Sequence, residues 1–339
     1  MTTQQKGVVT GLASGLTWAV YTVLIYELLN PYAGCTGGID SFHGMLLIVT
    51  AALVIGICES CCALVIELSY LRKLHRFKEF LRILFSKDGF GIIPAVIFSG
   101  LLGAVPYSIA SSFSTSVAGT ISAAFPAIGA IVAVIWFKEK LTPLKFIGII
   151  LCIVGTGIMY GLATGSVPFF VYLISIITAI GYAMEGCFGY NLMRSDVHSS
   201  VAVALRRVYA ILLNVILVVL ISAFTGNFQY LLDFVSGFTV NSAVYPWLSG
   251  MEGNWLFFAL IFFLGAGCNG ASYIFWYYSF NFSGVATAQV LNITYGIFII
   301  LLVMLPPFLS LPAWGSILGA LVLFGGAAIV TRETTKQPA

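Results

Sequence analysis

Charge is what this chain has least of. Asp, Glu, Lys and Arg make up 8% of its 339 residues. That is too few to cover the surface of a soluble protein of this length, so a water-facing globule is excluded. Signatures of hydrolytic and nucleotide chemistry are missing as well. There is no G-x-x-x-x-G-K-[ST] loop, no H-E-x-x-H and no G-x-S-x-G, which argues against an ATPase or an intramembrane hydrolase and for a protein that is not an enzyme. His43 and His75 fall at predicted membrane edges and His198 in a loop, so neither a metal site nor a cofactor is expected. The net charge of +3 gives no reason to expect a nucleic-acid partner. Of the seven cysteines, Cys35 alone lies outside a predicted span, which speaks against a disulfide framework. Cys58 and Cys61 form a C-x-x-C beside Glu59, and packing of small residues in a membrane helix is preferred there to redox or metal chemistry.

What the chain has instead is apolar length. A spanning helix needs about 20 apolar residues, and that ruler places spans near 7–29, 44–69, 89–111, 115–137, 143–163, 167–191, 201–224, 255–277, 284–306 and 312–331. The opening MTTQQKGVVTGLASGLTWAV carries one lysine and no small-residue cleavage site after a short apolar core, so it is expected to remain as the first span. Ten spans put both termini on one side. With that side inside, the inner loops hold Lys6, Arg72, Lys73, Arg76, Lys78, Arg82, Lys87, Lys138, Lys140, Lys145, Arg194, Arg332 and Lys336. Arg206 and Arg207 fall in the inner half of the seventh span, which accounts for all 15 basic residues. The outer segments carry Asp40, Asp233 and Glu252 and no base. This asymmetry predicts an integral protein of the cytoplasmic membrane with both termini cytoplasmic.

Two connecting segments have their own pattern. In LRKLHRFKEFLRILF, residues 71–85, Leu71, Leu74, Phe77, Leu81, Leu84 and Phe85 recur at helical spacing between bases, which predicts an amphipathic helix lying on the anionic inner leaflet. The outer segment at 225–254 is aromatic and nearly uncharged, and is read as a short interfacial helix or lid.

The halves resemble each other. Gly148 and Gly155 in the fifth span are seven apart, as are Gly319 and Gly326 in the tenth. STSVAG leads into the fourth span and FSGVAT into the ninth; TWA at 17–19 is matched by GYA at 181–183. Five spans per half is an odd number, so the second half must be inverted. The expected fold is an all-α membrane protein with ten transmembrane helices as two inverted five-helix repeats, 1–163 and 164–339. Such repeats are a transporter architecture, with cargo held near the midplane where they meet.

The segment 117–160 resembles the fourth and fifth helices of the EamA-type drug/metabolite transporter superfamily. It does so through its small-residue start, Phe125-Pro126, the loop acid Glu139 before Lys140-Leu141-Thr142, and Gly148 and Gly155. The second half departs from that pattern, with Ser310 near where a loop glutamate is often found. The superfamily moves amino acids, nucleotide sugars, amines and drugs, so membership implies the fold and not the cargo. YAMEGCFGYNLM followed by LRRV, ASYIFWYY at 271–278 and LNITY at 291–295 are similar to its choline uptake transporters. There an acid on the sixth helix and aromatics from several helices enclose a quaternary ammonium. The resemblance carries over to Glu185 with Tyr182, Arg206, Asn269 with Tyr273, Asn292 with Tyr295, and Trp18.

The same residues read on their own chemistry point in one direction. A carboxylate in hydrocarbon costs a contested ~3 kcal/mol or more, so it normally faces a cavity and has a task. Helical spacing puts Thr178, Tyr182, Glu185 and Gly189 on one face, Trp18 with Tyr21 on another, and Asn269, Tyr273, Trp276 and Tyr277 along a stripe. A carboxylate ringed by aromatics suits a cation without strong hydrogen-bond donors, each ring face contributing ~0.5–2 kcal/mol. Glu185 has two compatible readings, counter-ion for a cationic cargo and ion pair with Arg206. Trp276 and Tyr277 are read as an interfacial belt. Glu59 is read as a proton-coupling group or a partner of backbone polar groups, and Glu67 as reaching headgroup water. Pro106 and Pro126 are expected to kink their helices. The expected function is import of choline or a similar quaternary amine by alternating access, with protons as an optional coupling ion. The rivals are another cargo such as an exported amino acid or drug, and a non-transporting receptor.

Overall fold

The computed structural model describes residues 1–30, 42–161, 167–225, 239–242, 244–309 and 311–336. Among them, ten helices are long and apolar enough to cross a membrane. They are Thr3–Tyr26 (span 1), Ile48–Lys73 (span 2), Lys87–Phe113 (span 3), Thr115–Phe137 (span 4), Pro143–Tyr160 (span 5), Phe169–Met193 (span 6), Ser199–Thr225 (span 7), Trp255–Ser283 (span 8), Val285–Val303 (span 9) and Trp314–Thr334 (span 10). Continuous helix pairs every backbone N–H and C=O within its own segment, which is what a segment of this apolarity needs in lipid. Polar side chains mark the starts. Thr2 and Gln5 form a capping box at span 1, and Ser114, Thr142 and Asn254 accept from backbone N–H groups at spans 4, 5 and 8.

Span 1 packs on span 8, span 2 on span 7, span 3 on span 6, span 4 on span 9 and span 5 on span 10. The last of these pairs is interlocked through glycine. A Cβ on Gly148 would stand 2.9 Å from the carbonyl oxygen of Gly326, and one on Gly326 would stand 2.6 Å from that of Gly148. Gly155 and Gly319 repeat the relationship at 2.7 and 2.5 Å. The sevenfold spacing in both helices therefore sets two antiparallel backbone contacts that no side chain could share.

Several spans are irregular. Span 1 continues into a π-helical turn at Val23–Leu28, and span 3 carries another at Gly100–Ala104 just before Pro106. Span 4 is interrupted at Ala123 and Ala124, where Pro126 has no N–H to continue the ladder. Span 9 breaks at Thr294, whose hydroxyl donates to the Leu291 carbonyl at 2.6 Å.

The basic loop differs from its sequence reading. Span 2 runs to Lys73, the chain turns at His75 (φ 57°), and a separate short helix follows at Phe77–Ile83. Leu71, Phe80 and Ile83 are buried in the protein core, while Leu81 and Phe85 stay exposed. The anchoring face is thus narrower than predicted, because half of the apolar residues pack onto the bundle. In the outer segment, Thr239–Val240 pairs antiparallel with Leu29–Asn30, and Pro246–Leu248 forms a single 3-10 turn. Residues 226–238, and with them most of the predicted helix or lid, lie outside the described residues, as do Cys35, Asp40 and Ser310.

The connections after spans 4, 6 and 8 meet at one end of the bundle. Glu139 accepts from the backbone N–H of Val285 at 2.7 Å and of Ala286 at 3.4 Å, so it caps span 9. Gly284 (φ 79°) leaves room for that carboxylate, since a Cβ there would stand 2.8 Å from it. Burial pushes the Glu139 carboxyl above the usual range, against the pull of those two N–H groups and Lys145. His198 holds the start of span 7, its Nδ1 accepting from the Ser200 N–H at 3.3 Å. Burial, and then the nearby charge of Arg76, hold its pKa below the usual histidine value.

Candidate functional site

The middle of the bundle gathers aromatic rings from spans 1, 8 and 9. Trp18 is central, with its ring centroid 5.1 Å from Tyr21, 5.9 Å from Tyr273 and 6.4 Å from Tyr295. The first two contacts are edge-to-face, the arrangement ring quadrupoles favour. Span 1 reaches spans 8 and 9 this closely because Gly7, Gly11 and Gly15 recur every four residues on one face. A Cβ at Gly11 would stand 2.7 Å from that of Leu291, and one at Gly15 would stand 2.7 Å from the Thr294 hydroxyl. Ser14, on the same stripe, accepts from Asn292 Nδ2 at 2.9 Å and lies 3.0 Å from the Ser272 hydroxyl. Asn292 is therefore a tie between spans 1 and 9 beside the aromatic group.

Beneath Tyr21 is Glu59. The Tyr21 hydroxyl lies 2.8 and 2.9 Å from the two carboxylate oxygens, and the Tyr26 hydroxyl donates to Oε1 at 3.4 Å. Glu59 is 7% exposed, and among the described residues no Lys, Arg or His forms an ion pair with it.

The other two buried acids are paired. Arg206 and Arg207 are consecutive on span 7, so they diverge by about 100° around the helix. Arg206 donates through Nε to Glu185 on span 6, and through Nη2 to the Tyr273 hydroxyl at 2.7 Å. Arg207 donates through Nε to Glu67 on span 2 at 3.1 Å, and through Nη2 to Asn269 Oδ1 on span 8 at 2.9 Å. Both guanidinium carbons lie near the Tyr273 ring centroid, at 3.9 and 5.0 Å. The sequence places Arg206 as a partner for Glu185 and gives Arg207 no role. The structure makes Arg207 the centre of a second ion pair. Glu67, read as reaching headgroup water, is 1% exposed, because Arg207 draws it inward.

Tyr182 stands apart from the Trp18 group. It packs against Gly103, with Tyr107 and Phe125 each 6.4 Å away between ring centroids. The Tyr160 hydroxyl faces those of Tyr295 and Tyr107, which links the two aromatic groups through Tyr295. Tyr26, Tyr107, Tyr160 and Ser14 escaped the sequence reading. Only Tyr26 could have been found there, five residues after Tyr21 and near the end of a predicted span.

Towards the basic end, span 8 continues with Trp276, Tyr277 and Phe280, each in contact with the next. Their exposures are 6%, 0% and 0%. Trp276 and Tyr277 are therefore not the interfacial belt predicted, since both are buried in the protein. Gly189 admits the Tyr277 ring, a Cβ there standing 2.6 Å from its hydroxyl, and Trp276 packs on Phe280 at 4.8 Å. Trp18, Tyr182 and Tyr295 remain partly exposed. The interior is thus tightly filled on the basic side of Tyr273 and looser around Trp18.

Known proteins offer a likeness of shape. No protein-family model and no curated protein matches the chain. Among 27 matching solved chains is one described as a crystal structure of a protein. It superposes with a TM-score of 0.64 at 17% identity, over 99% of this chain and 99% of that one. At that identity the match speaks to the fold.

Proposed function

We propose that the protein is a secondary transporter that imports choline or a similar quaternary amine through a midplane pocket by alternating access. The observation that carries this reading is Trp18 with three tyrosines around it, in the looser part of a ten-helix bundle. Ring faces attract a cation without needing it to donate hydrogen bonds, which suits a trimethylammonium group.

The transport part of the reading rests on inverted five-helix repeats. The reciprocal glycine contacts of spans 5 and 10 support them, as does the way each packing pair turns into another when five is added to or taken from each number. Span 1 with span 8 becomes span 6 with span 3, and span 2 with span 7 becomes itself. The repeats resemble those of the EamA-type superfamily. The basic end is assigned to the cytoplasm, because it gathers the Lys and Arg residues. Trp276, Tyr277, Phe280 and the two ion pairs then form the closed inner side of an outward-facing state. An inside-negative potential favours entry of a cation by ~2.3 kcal/mol per 100 mV. A zwitterionic cargo held by Glu185 and Arg206 is less favoured, because those two groups already satisfy each other.

The test is thermal unfolding of the purified protein against quaternary amines, primary amines, amino acids and nucleosides. A ligand of the folded state raises Tm by mass action. A shift with choline and none with amino acids is expected. The reverse would keep the fold and change the cargo.

A further inference from the structure

We infer that the cargo's ammonium group takes Glu59 as its counter-ion, and that Glu185 does not serve it. This rests on the organic-cation reading above. Of the three buried acids named in the site, Glu67 and Glu185 each hold an arginine, and Glu59 holds none among the described residues. Arg207 acts on Glu59 from longer range, but its guanidinium is committed to Glu67 and Asn269. A buried carboxylate without a cation is costly, whereas one that gains a cation on binding turns that cost into affinity.

Position agrees with charge. Tyr21 is shared, its ring against Trp18 and its hydroxyl against both oxygens of Glu59. The acid therefore borders the aromatic group directly. Glu185 also meets that group, at the Tyr273 hydroxyl, but Arg206 bonds both of them and neutralises its charge there.

The hydrogen bonds also set selectivity. Tyr21 and Tyr26 can take up to two of the roughly four lone-pair sites of Glu59, which leaves its charge but fewer acceptors than the three N–H groups of a primary ammonium need. A primary ammonium needs acceptors for three N–H groups and would have to displace the tyrosines. A quaternary ammonium needs the field alone and leaves those bonds in place. Glu59 with Tyr21 thus selects quaternary over primary amines.

The experiment measures equilibrium binding of choline, ethanolamine and 3,3-dimethyl-1-butanol, the uncharged carbon analogue of choline. It compares the wild type, Glu59→Gln, Tyr21→Phe and the charge-free double variant Glu185→Gln with Arg206→Met. Glu59→Gln is expected to lose at least about tenfold in choline affinity while binding the carbon analogue as the wild type does. Tyr21→Phe keeps the ring and is expected to narrow the choline-to-ethanolamine ratio. The double variant is expected still to bind choline more tightly than its uncharged carbon analogue. If the wild type binds choline and Glu59→Gln binds it equally well, the inference is overturned and the transporter reading stands. Loss of choline binding in the double variant alone would return the role to Glu185. No quaternary amine bound by the wild type would overturn both. Should Glu59→Gln fail to fold, Tyr21→Phe decides, and an unchanged amine ratio there sinks the idea.

Discussion

Trp18 and Tyr273 meet edge to face with 5.9 Å between their ring centroids. Trp18 belongs to the aromatic group that is proposed to hold the cargo. Tyr273 lies under both arginines of span 7 and accepts from one of them. That single contact joins the loose, aromatic part of the interior to the tightly packed, ionic part. A ligand that shifts Trp18 has a direct path to the Arg206–Glu185 pair.

Trp18→Ala should therefore weaken choline binding. A ring face is worth ~0.5–2 kcal/mol to a cation, so the expected loss is about 3- to 30-fold in Kd, read by calorimetry. Trp18→Tyr should retain most of the affinity. An unchanged Kd in the alanine variant would remove the aromatic group from recognition.

Arg207→Met should destabilise the fold strongly. It leaves Glu67 buried without a partner, which typically costs about 3–5 kcal/mol, and it strands Asn269. Glu67→Gln combined with Arg207→Met should be milder than Arg207→Met alone, since no charge is then left unpaired. Tm values of the four proteins of the cycle in one detergent give the answer. Additive losses would mean that Glu67 and Arg207 act separately.

Gly155→Leu should loosen the contact of spans 5 and 10. A Cβ at Gly155 would collide with the Leu323 backbone nitrogen, and overpacking of this kind costs about 1–3 kcal/mol or more. Gly325→Leu is the control, because nothing lies within 4 Å of a Cβ at that position. The first substitution should lower Tm and the second should leave it near wild type. Equal effects would contradict the interlocked glycines.

Stability should depend on pH at the basic end in two opposite ways. The Glu139 carboxyl is raised in the folded protein, so its contribution is full below its ordinary value near 4.5 and is lost as pH rises through the folded value. Relative to Glu139→Gln, the wild type should lose Tm as pH climbs from about 4.5 through the folded value. His198 is held below its ordinary 6.5, so its contribution is full above that pH and is lost as pH falls through the folded value. Relative to His198→Asn, which keeps an acceptor for the Ser200 N–H, the wild type should lose Tm on acidification. Parallel Tm profiles for each wild-type and variant pair would refute the assignment.

The ten spans were legible because a long apolar run has few alternatives, and their ends fall near the charges that bound them. The far end of span 8 ran on to Ser283, since Phe280 is buried in the protein and its apolarity gives no warning of where lipid stops. The glycine spacing in spans 5 and 10 was visible, while its meaning, Gly148 facing Gly326 and Gly155 facing Gly319, needed the antiparallel register. The aromatic group around Trp18 could be read in part, because Trp18 with Tyr21 and Asn292 with Tyr295 are close in sequence. Glu67 with Arg207 could not, because 140 residues separate them. A stripe of aromatics looks the same in sequence whether it faces lipid or core, which is why Trp276 and Tyr277 were misread.

Potential-driven flux of a quaternary amine is the direct test of the proposed function. The protein is reconstituted in liposomes and uptake of labelled choline is followed with and without an inside-negative potassium diffusion potential. Uptake that the potential accelerates, that excess unlabelled choline suppresses and that Trp18→Ala weakens is the predicted result. Choline binding by the folded protein with no potential-sensitive uptake of any quaternary amine would contradict it.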